Sequence, residues 1–281
     1  MSNQKFILGF SPCPNDTFIF DALVHGRIDT EPFSFDVRMD DVEALNKWAI
    51  SGEPDITKIS FASYPWIAES YQLLRSGSAL GFGSGPLFVS KLIPKDPEHV
   101  IRKVAIPGMR TTANFLFSEF FPGITEKKEM LFSDIESAVL NDEVDAGVII
   151  HESRFTYAQK GLKKICDLGE LWEEKTKRPI PLGGIAIRRS LPADVKQKIE
   201  NLISESVKYA FANPTASKSY VAEHAQEMEE EVRGKHIELY VNKYSIILGP
   251  EGEDAVRYFL SGTALHDAFP KIKLPVFLDK P

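Results

Sequence analysis

The pattern that most limits how this chain can fold is a regular exchange between two hydrophobic periods. Short apolar runs end in turns, and each is followed by apolar residues at helical spacing. Lys5–Phe10 runs into Ser11-Pro12-Cys13-Pro14, after which Asn15, Asp16 and Thr17 offer N-cap side chains to a helix through Phe18, Ala22 and Leu23. Asp36–Met39 reads as a strand, and Val42, Leu45, Trp48 and Ala49 read as a helix ended by Gly52 and Pro54. Asp55–Phe61 is the next strand. Such alternation predicts an α/β protein with largely parallel sheets.

The same order recurs further along. Val104–Ile106, a Pro-Gly turn, then Thr111 and Thr112 ahead of Phe115-Leu116-Phe117 mirror Leu8–Phe10, the Pro-rich turn, Asn15 and Thr17, and Phe18-Ile19-Phe20. Likewise Ser51-Gly52-Glu53-Pro54-Asp55 mirrors Asn141-Asp142-Glu143-Val144-Asp145, which sets Ser60 and Phe61 opposite Ile150 and His151. Between the two halves, Ser76–Ser90 carries no charge and four glycines, and reads as buried extended chain. Its Gly81-x-Gly83-x-Gly85 is not followed by a helical pattern, which argues against a dinucleotide fingerprint. Residues 1–92 therefore read as the first part of one lobe and 93–179 as a second. Residues 180–281 read as a return to the first lobe through a strand at Gly184–Ile187, followed by C-terminal helices. The first of these has Pro192 in its opening turn and Val195, Ile199, Leu202, Ile203, Ala210 and Phe211 on one face. The tail from Pro270 reads as irregular. Two similar α/β lobes would hold a ligand in the cleft between their strand ends.

Composition narrows the partners. With 33 Lys+Arg against 40 Asp+Glu the formal net charge is −7, a poor match to nonspecific nucleic-acid or membrane-surface binding. Cys13 and Cys166 are the two cysteines, no CxxC occurs, and no histidines form an HxxxH pair. Neither a disulfide framework nor a metal site is expected. The apolar run Phe6–Phe10 is shorter than a secretory core of about 7–15 residues, and no run reaches the roughly 18 apolar residues of a membrane span. A cytoplasmic protein is the expectation.

Several groups carry chemistry. Loop 11–17 is stiffened by two prolines ahead of a helix N-terminus, and serves either as a plain cap or as an anion receptor. Thr111-Thr112, after Arg110, is the matching feature in the second half. Lys58 interrupts an apolar strand; it lies at an edge, pairs with Asp55 or another carboxylate, or reaches a ligand anion. His151 follows the apolar run Ala146–Ile150, which puts it at a strand's C-terminal end, as a proton acceptor or as a structural histidine. Cys13 is either a thiol activated by the helix start or a packed side chain. The acidic run Glu227–Glu231 reads as a solvated helix face.

Ser11-Pro12-Cys13-Pro14-Asn15-Asp16-Thr17-Phe18-Ile19-Phe20, with Ala22-Leu23-Val24-His25-Gly26, closely resembles the start of the 1,4-dihydroxy-6-naphthoate synthase family of menaquinone biosynthesis. The resemblance continues through Thr57-Lys58-Ile59-Ser60, Thr111-Thr112 and Ile149-Ile150-His151-Glu152-Ser153-Arg154-Phe155-Thr156-Tyr157, and resumes at Pro181-Leu182-Gly183. It implies a two-lobed fold like type II periplasmic binding proteins, and a lyase that acts on cyclic dehypoxanthine futalosine without metal or organic cofactor. It also implies His151 as proton acceptor, with Lys58, Ile59, Ser60, Thr111 and Thr112 contacting an anionic small-molecule substrate and Asn15 nearby. A chorismate dehydratase on the same fold and a noncatalytic solute-binding protein are the alternatives, since this fold serves binding and catalysis alike.

Overall fold

The computed structural model describes residues 4–226, 229–261 and 270–279. Its strands form two sheets, one per lobe. In the first lobe, β1 (Gln4–Phe10), α1 (Pro14–Val24), β2 (Phe33–Met39), α2 (Val42–Ser51) and β3 (Ile56–Ser60) give a parallel core in the order β2-β1-β3. β4 (Tyr71–Leu73) and β5 (Ala79–Gly81) follow, and β6 (Leu87–Ser90) already belongs to the second sheet. There, β7 (Lys103–Ile106), the helix Thr112–Phe120, β8 (Glu126–Glu129), the helix Ile135–Leu140 and β9 (Ala146–Ile149) repeat the plan in the order β8-β7-β9. β10 (Lys163–Asp167) completes that sheet beside β6, and β11 (Ile180–Arg188) returns to the first.

The duplication reaches single hydrogen bonds. Asp55, ahead of β3, accepts the backbone N–H of Ile7 on β1, and its own N–H donates back to the Ile7 carbonyl. Asp145, ahead of β9, accepts the N–H groups of Arg102 and Lys103 and donates to the Lys103 carbonyl. One aspartate per lobe thus clips the third strand to the first, and both are the residues that the sequence pattern aligns.

The sheets are mixed rather than largely parallel. β11 runs antiparallel to β3, with Gly183 opposite Ser60, and β6 runs antiparallel to β9, with Leu87 opposite Ile149. A chain arriving from the other lobe enters at the cleft, where the parallel strands end, so it must run the opposite way. The passage out falls between Gly81 and Leu87, ahead of the 92/93 boundary read from the sequence; most of the charge-free run 76–90 is buried in the two sheets, but Phe82 within the passage is 52% exposed. The helix Ala193–Ala212 buries Val195, Ile199, Leu202, Ile203 and Ala210 as its spacing requires, whereas Phe211 is 42% exposed. Described residues 270–279 form no strand beyond a bridge of Phe277 to Leu73. Glu227 lies outside the described residues, while Glu229, Glu230 and Glu231 are exposed. Among the described residues no helix is long and apolar enough to cross a membrane.

Gly85 and Gly169 hold the passage against the helix Leu168–Thr176. A Cβ placed on Gly169 would lie 2.7 Å from the Gly85 Cα, so only two glycines allow this approach. Alanine is favoured over glycine in a helix by about 1 kcal/mol, yet we predict that Gly169→Ala destabilises the protein by about 1–3 kcal/mol through overpacking. Urea unfolding would measure it, and unchanged stability would mean that the two backbones part without cost.

Candidate active site

A cleft lies where the C-terminal ends of β1, β3, β7 and β9 face one another. Ser11 and Asn15 reach it from the turn after β1, Lys58 and Ser60 from β3, Thr111 and Thr112 from the turn after β7, and His151 from the turn after β9. Each lobe therefore contributes the ends of its first and third strands, the usual location of ligand sites in open α/β sheets. Because side chains alternate along a strand, Lys58 and Ser60 share one face of β3 and Ile59 takes the other. Ile59 is fully buried in the hydrophobic core and does not line the cleft, unlike its neighbours.

Lys58 is resolved neither at an edge nor with Asp55. Its Nζ donates to Asp16 Oδ1 at 2.8 Å and to the Gly77 carbonyl at 3.3 Å, and both charged side chains are buried. Asp55 instead faces Arg188 at 3.4 Å. Asp16 Oδ1 also accepts from Asn15 Nδ2 at 2.8 Å, while Oδ2 accepts the Ser11 hydroxyl at 2.7 Å and the Ser11 N–H at 3.2 Å. The N-cap of α1 is Cys13, with Pro14 in the first turn and no side-chain cap bond, and Asp16 turns its carboxylate back to Ser11. Within the loop expected to receive an anion, Asp16 thus directs its own carboxylate to Ser11, Asn15 and Lys58. With Asn15 Nδ2 committed to Asp16, Asn15 Oδ1 accepts from His236 Nε2 at 2.9 Å, which places the proton of neutral His236 on Nε2.

His151 sits at φ +56°, a left-handed conformation that costs a non-glycine residue about 1 kcal/mol or more. The residues after it hold the turn. Ser153 donates to Glu136 at 3.0 Å, and the Arg154 guanidinium bonds the Gly83 carbonyl at 2.8 Å, Asp167 at 2.6 Å and the Gly85 carbonyl. Asp167 in turn caps the helix that carries Gly169. The imidazole lies edge-on to Phe132 at 5.0 Å and stacked on His236 at 5.7 Å with 5° between planes. Burial pushes its pKa down to about 4, opposed by the charge of Asp16 and reinforced by that of Lys58. The ring is accordingly neutral at pH 7. His236, fully buried, is held well below the usual histidine range by the same desolvation and by His151.

The two threonines divide their work. The Thr111 hydroxyl accepts from Asn114 N–H as helix cap and donates to the Gly108 carbonyl at 2.8 Å. The Thr112 hydroxyl crosses the cleft to the Leu182 carbonyl at 2.7 Å. Lys47 on α2 meets Glu129 on β8 at 2.8 Å, and Arg110 N–H reaches Glu43 on α2 at 3.3 Å. The lobes are therefore bonded together around the cavity. Cys13 is packed rather than activated: burial, then the charge of Glu152, pushes its thiol pKa well up, overriding the helix start. Although no metal ligation was expected, the donor atoms of Cys13, His151 and Glu152 lie within 4.8 Å of one another.

Residues 6–264 match the model of a family described as menaquinone biosynthesis. The chain is 45% identical to 1,4-dihydroxy-6-naphthoate synthase of Thermus thermophilus, covering 96% of this chain and 98% of that one. The protein belongs to the 1,4-dihydroxy-6-naphthoate synthase family. The Streptomyces coelicolor synthase agrees, at 42% identity over 97% of each chain. The alkanesulfonate-binding protein of Xanthomonas axonopodis pv. citri superposes with a TM-score of 0.71 at 12% identity, covering 99% and 97% of the two chains, and this likeness shows the periplasmic-binding-protein fold alone. The chain is thus an enzyme-family member built on a binding-protein scaffold, as its sequence blocks led us to expect.

Sequence reasoning gave no role to Asp16 as the partner of Lys58, to His236 as the ring stacked on His151, or to Tyr240 at the cleft. A histidine and a tyrosine four residues apart on a helix distant in sequence give no signal of their own. The buried pair yields an asymmetric prediction. Asp16→Ala leaves Lys58 with a single carbonyl and should cost about 3–5 kcal/mol. Lys58→Met leaves Asp16 with the Ser11 and Asn15 donors and should cost clearly less. Urea unfolding of both variants checks this, and equal losses would contradict it.

Proposed function

We propose that this protein converts cyclic dehypoxanthine futalosine into 1,4-dihydroxy-6-naphthoate and a three-carbon fragment in the cytoplasm, with His151 as general base and no metal or organic cofactor. The observation that carries the reading is the neutral imidazole of His151, held in a strained turn on the wall of a cleft that also receives Asn15, Ser60, Thr111 and Thr112. The functions printed for the curated relatives support the product.

Cleaving a carbon–carbon bond beside a hydroxyl requires loss of the hydroxyl proton and a place for the bond's electrons. His151 takes the proton, a retro-aldol-like cleavage follows, and aromatisation of the second ring drives it forward. Ser60, Asn15, Thr111 and Thr112 orient the substrate's hydroxyls and carboxylate. Lys58, already neutralised by Asp16, acts chiefly by fixing Asn15 and Ser11 rather than as a bare cation. The bonds that join the lobes exclude water during turnover, and their release admits substrate.

Two tests follow. Purified protein stripped of metal should form naphthoate from cyclic dehypoxanthine futalosine, followed by absorbance and mass spectrometry. His151→Asn should lower kcat/KM by about 10²–10⁴-fold; wild-type turnover in that variant would remove His151 as base. A base works only when unprotonated, so kcat/KM should hold steady as pH falls from 7 and drop only near pH 4. An acid limb near pH 6.5, where an unperturbed histidine titrates, would contradict the desolvated state of the ring.

A further inference from the structure

Three chemically different donors, one of them the proposed base, meet at the cleft. Cys13 Sγ comes from the turn after β1 in the first lobe, while the ring of His151 and the carboxylate of Glu152 come from the turn after β9 in the second. All three donor atoms lie within 4.8 Å of one another. Ligands of a tetrahedral transition-metal ion stand about 3.5 Å apart at its preferred bond lengths, so an ion draws this trio inward by roughly 1 Å at most. A further buried histidine lies next to Glu152. His236 has its proton on Nε2, committed to Asn15, which leaves the Nδ1 lone pair fully buried and without a hydrogen-bond donor. That nitrogen lies 3.7 Å from Glu152 Oε2.

We infer that Cys13, His151 and Glu152 form an inhibitory site for a thiophilic divalent transition metal such as Zn²⁺. Thiolate, imidazole and carboxylate are the mixed donor set that suits zinc, and hard ions such as Mg²⁺ or Ca²⁺ are not expected there. Binding displaces the Cys13 thiol proton to solvent and consumes the imidazole lone pair. It also staples one lobe to the other, because the sulfur and the two remaining donors belong to opposite sides of the cleft. The metal therefore blocks turnover twice over, by occupying the base and by holding the cleft shut. The inhibition, though not the binding, rests on the reading of His151 as base.

Cobalt(II) provides the test, since a thiolate ligand gives it a near-ultraviolet charge-transfer band. Titration of the full-length, metal-free protein, without substrate, should raise this band to saturation at one equivalent. Zn²⁺ should displace it and abolish turnover, and a chelator should restore activity. Cys13→Ser should lack the band and turn over in the presence of Zn²⁺, and that turnover also shows the variant to be folded. Glu152→Gln should bind cobalt more weakly with the band retained. Absence of the band in the wild type, or its persistence in Cys13→Ser, overturns the site. The band is read without turnover, so failure of His151→Asn to lose activity would remove the base while the metal site stood or fell separately.

Discussion

The buried contact between Lys58 and Asp16 is the interaction on which the site depends. An ammonium in the middle of an apolar strand is tolerable only with a carboxylate against it, and a buried carboxylate needs several donors. Asp16 meets that demand by gathering Ser11 and Asn15 as well as Lys58. Asn15 is thereby turned so that its carbonyl faces His236, and His236 stacks on His151. One electrostatic requirement inside the first lobe thus sets the tautomer of one histidine and supports the ring of another, which belongs to the second lobe.

His151 is held from its own lobe by different means. Its left-handed backbone would relax without Ser153 and Arg154, whose bonds run to Glu136, to Asp167 and to the glycine-rich passage. Those glycines matter because they let Gly85 approach Gly169 at backbone distance, which keeps the carbonyls of Gly83 and Gly85 within reach of the guanidinium. The strain at the base and the close packing of the passage are therefore parts of one arrangement. Desolvation, the largest cause of the low histidine pKa, is a consequence of the same closure of the lobes.

Much of the fold was legible in sequence because it depends on local periodicity. The strand–helix order of each half, the match of Asp55 with Asp145, and the burial of most of Ser76–Ser90 all follow from which residues tolerate water and which do not, although Phe82 is exposed. The antiparallel placement of β6 and β11 was not legible, since nothing local states from which end a strand enters a sheet. Likewise Lys58, Ser60, Asn15, Thr111, Thr112 and His151 could be named as polar residues at strand ends, whereas Ile59, adjacent to two of them, is turned to the core by strand alternation.

By itself the sequence determined the α/β class, the duplicated plan, and the residue types that each lobe brings to the cleft, because periodicity and turn chemistry act over a few neighbours. Only the tertiary structure decided which charges and rings meet. Lys58 with Asp16, Asn15 with His236, and Cys13 with Glu152 and His151 are pairings between segments that share no local pattern. Their partners are chosen by the shape of the closed lobes and by the cost of burying a polar group alone.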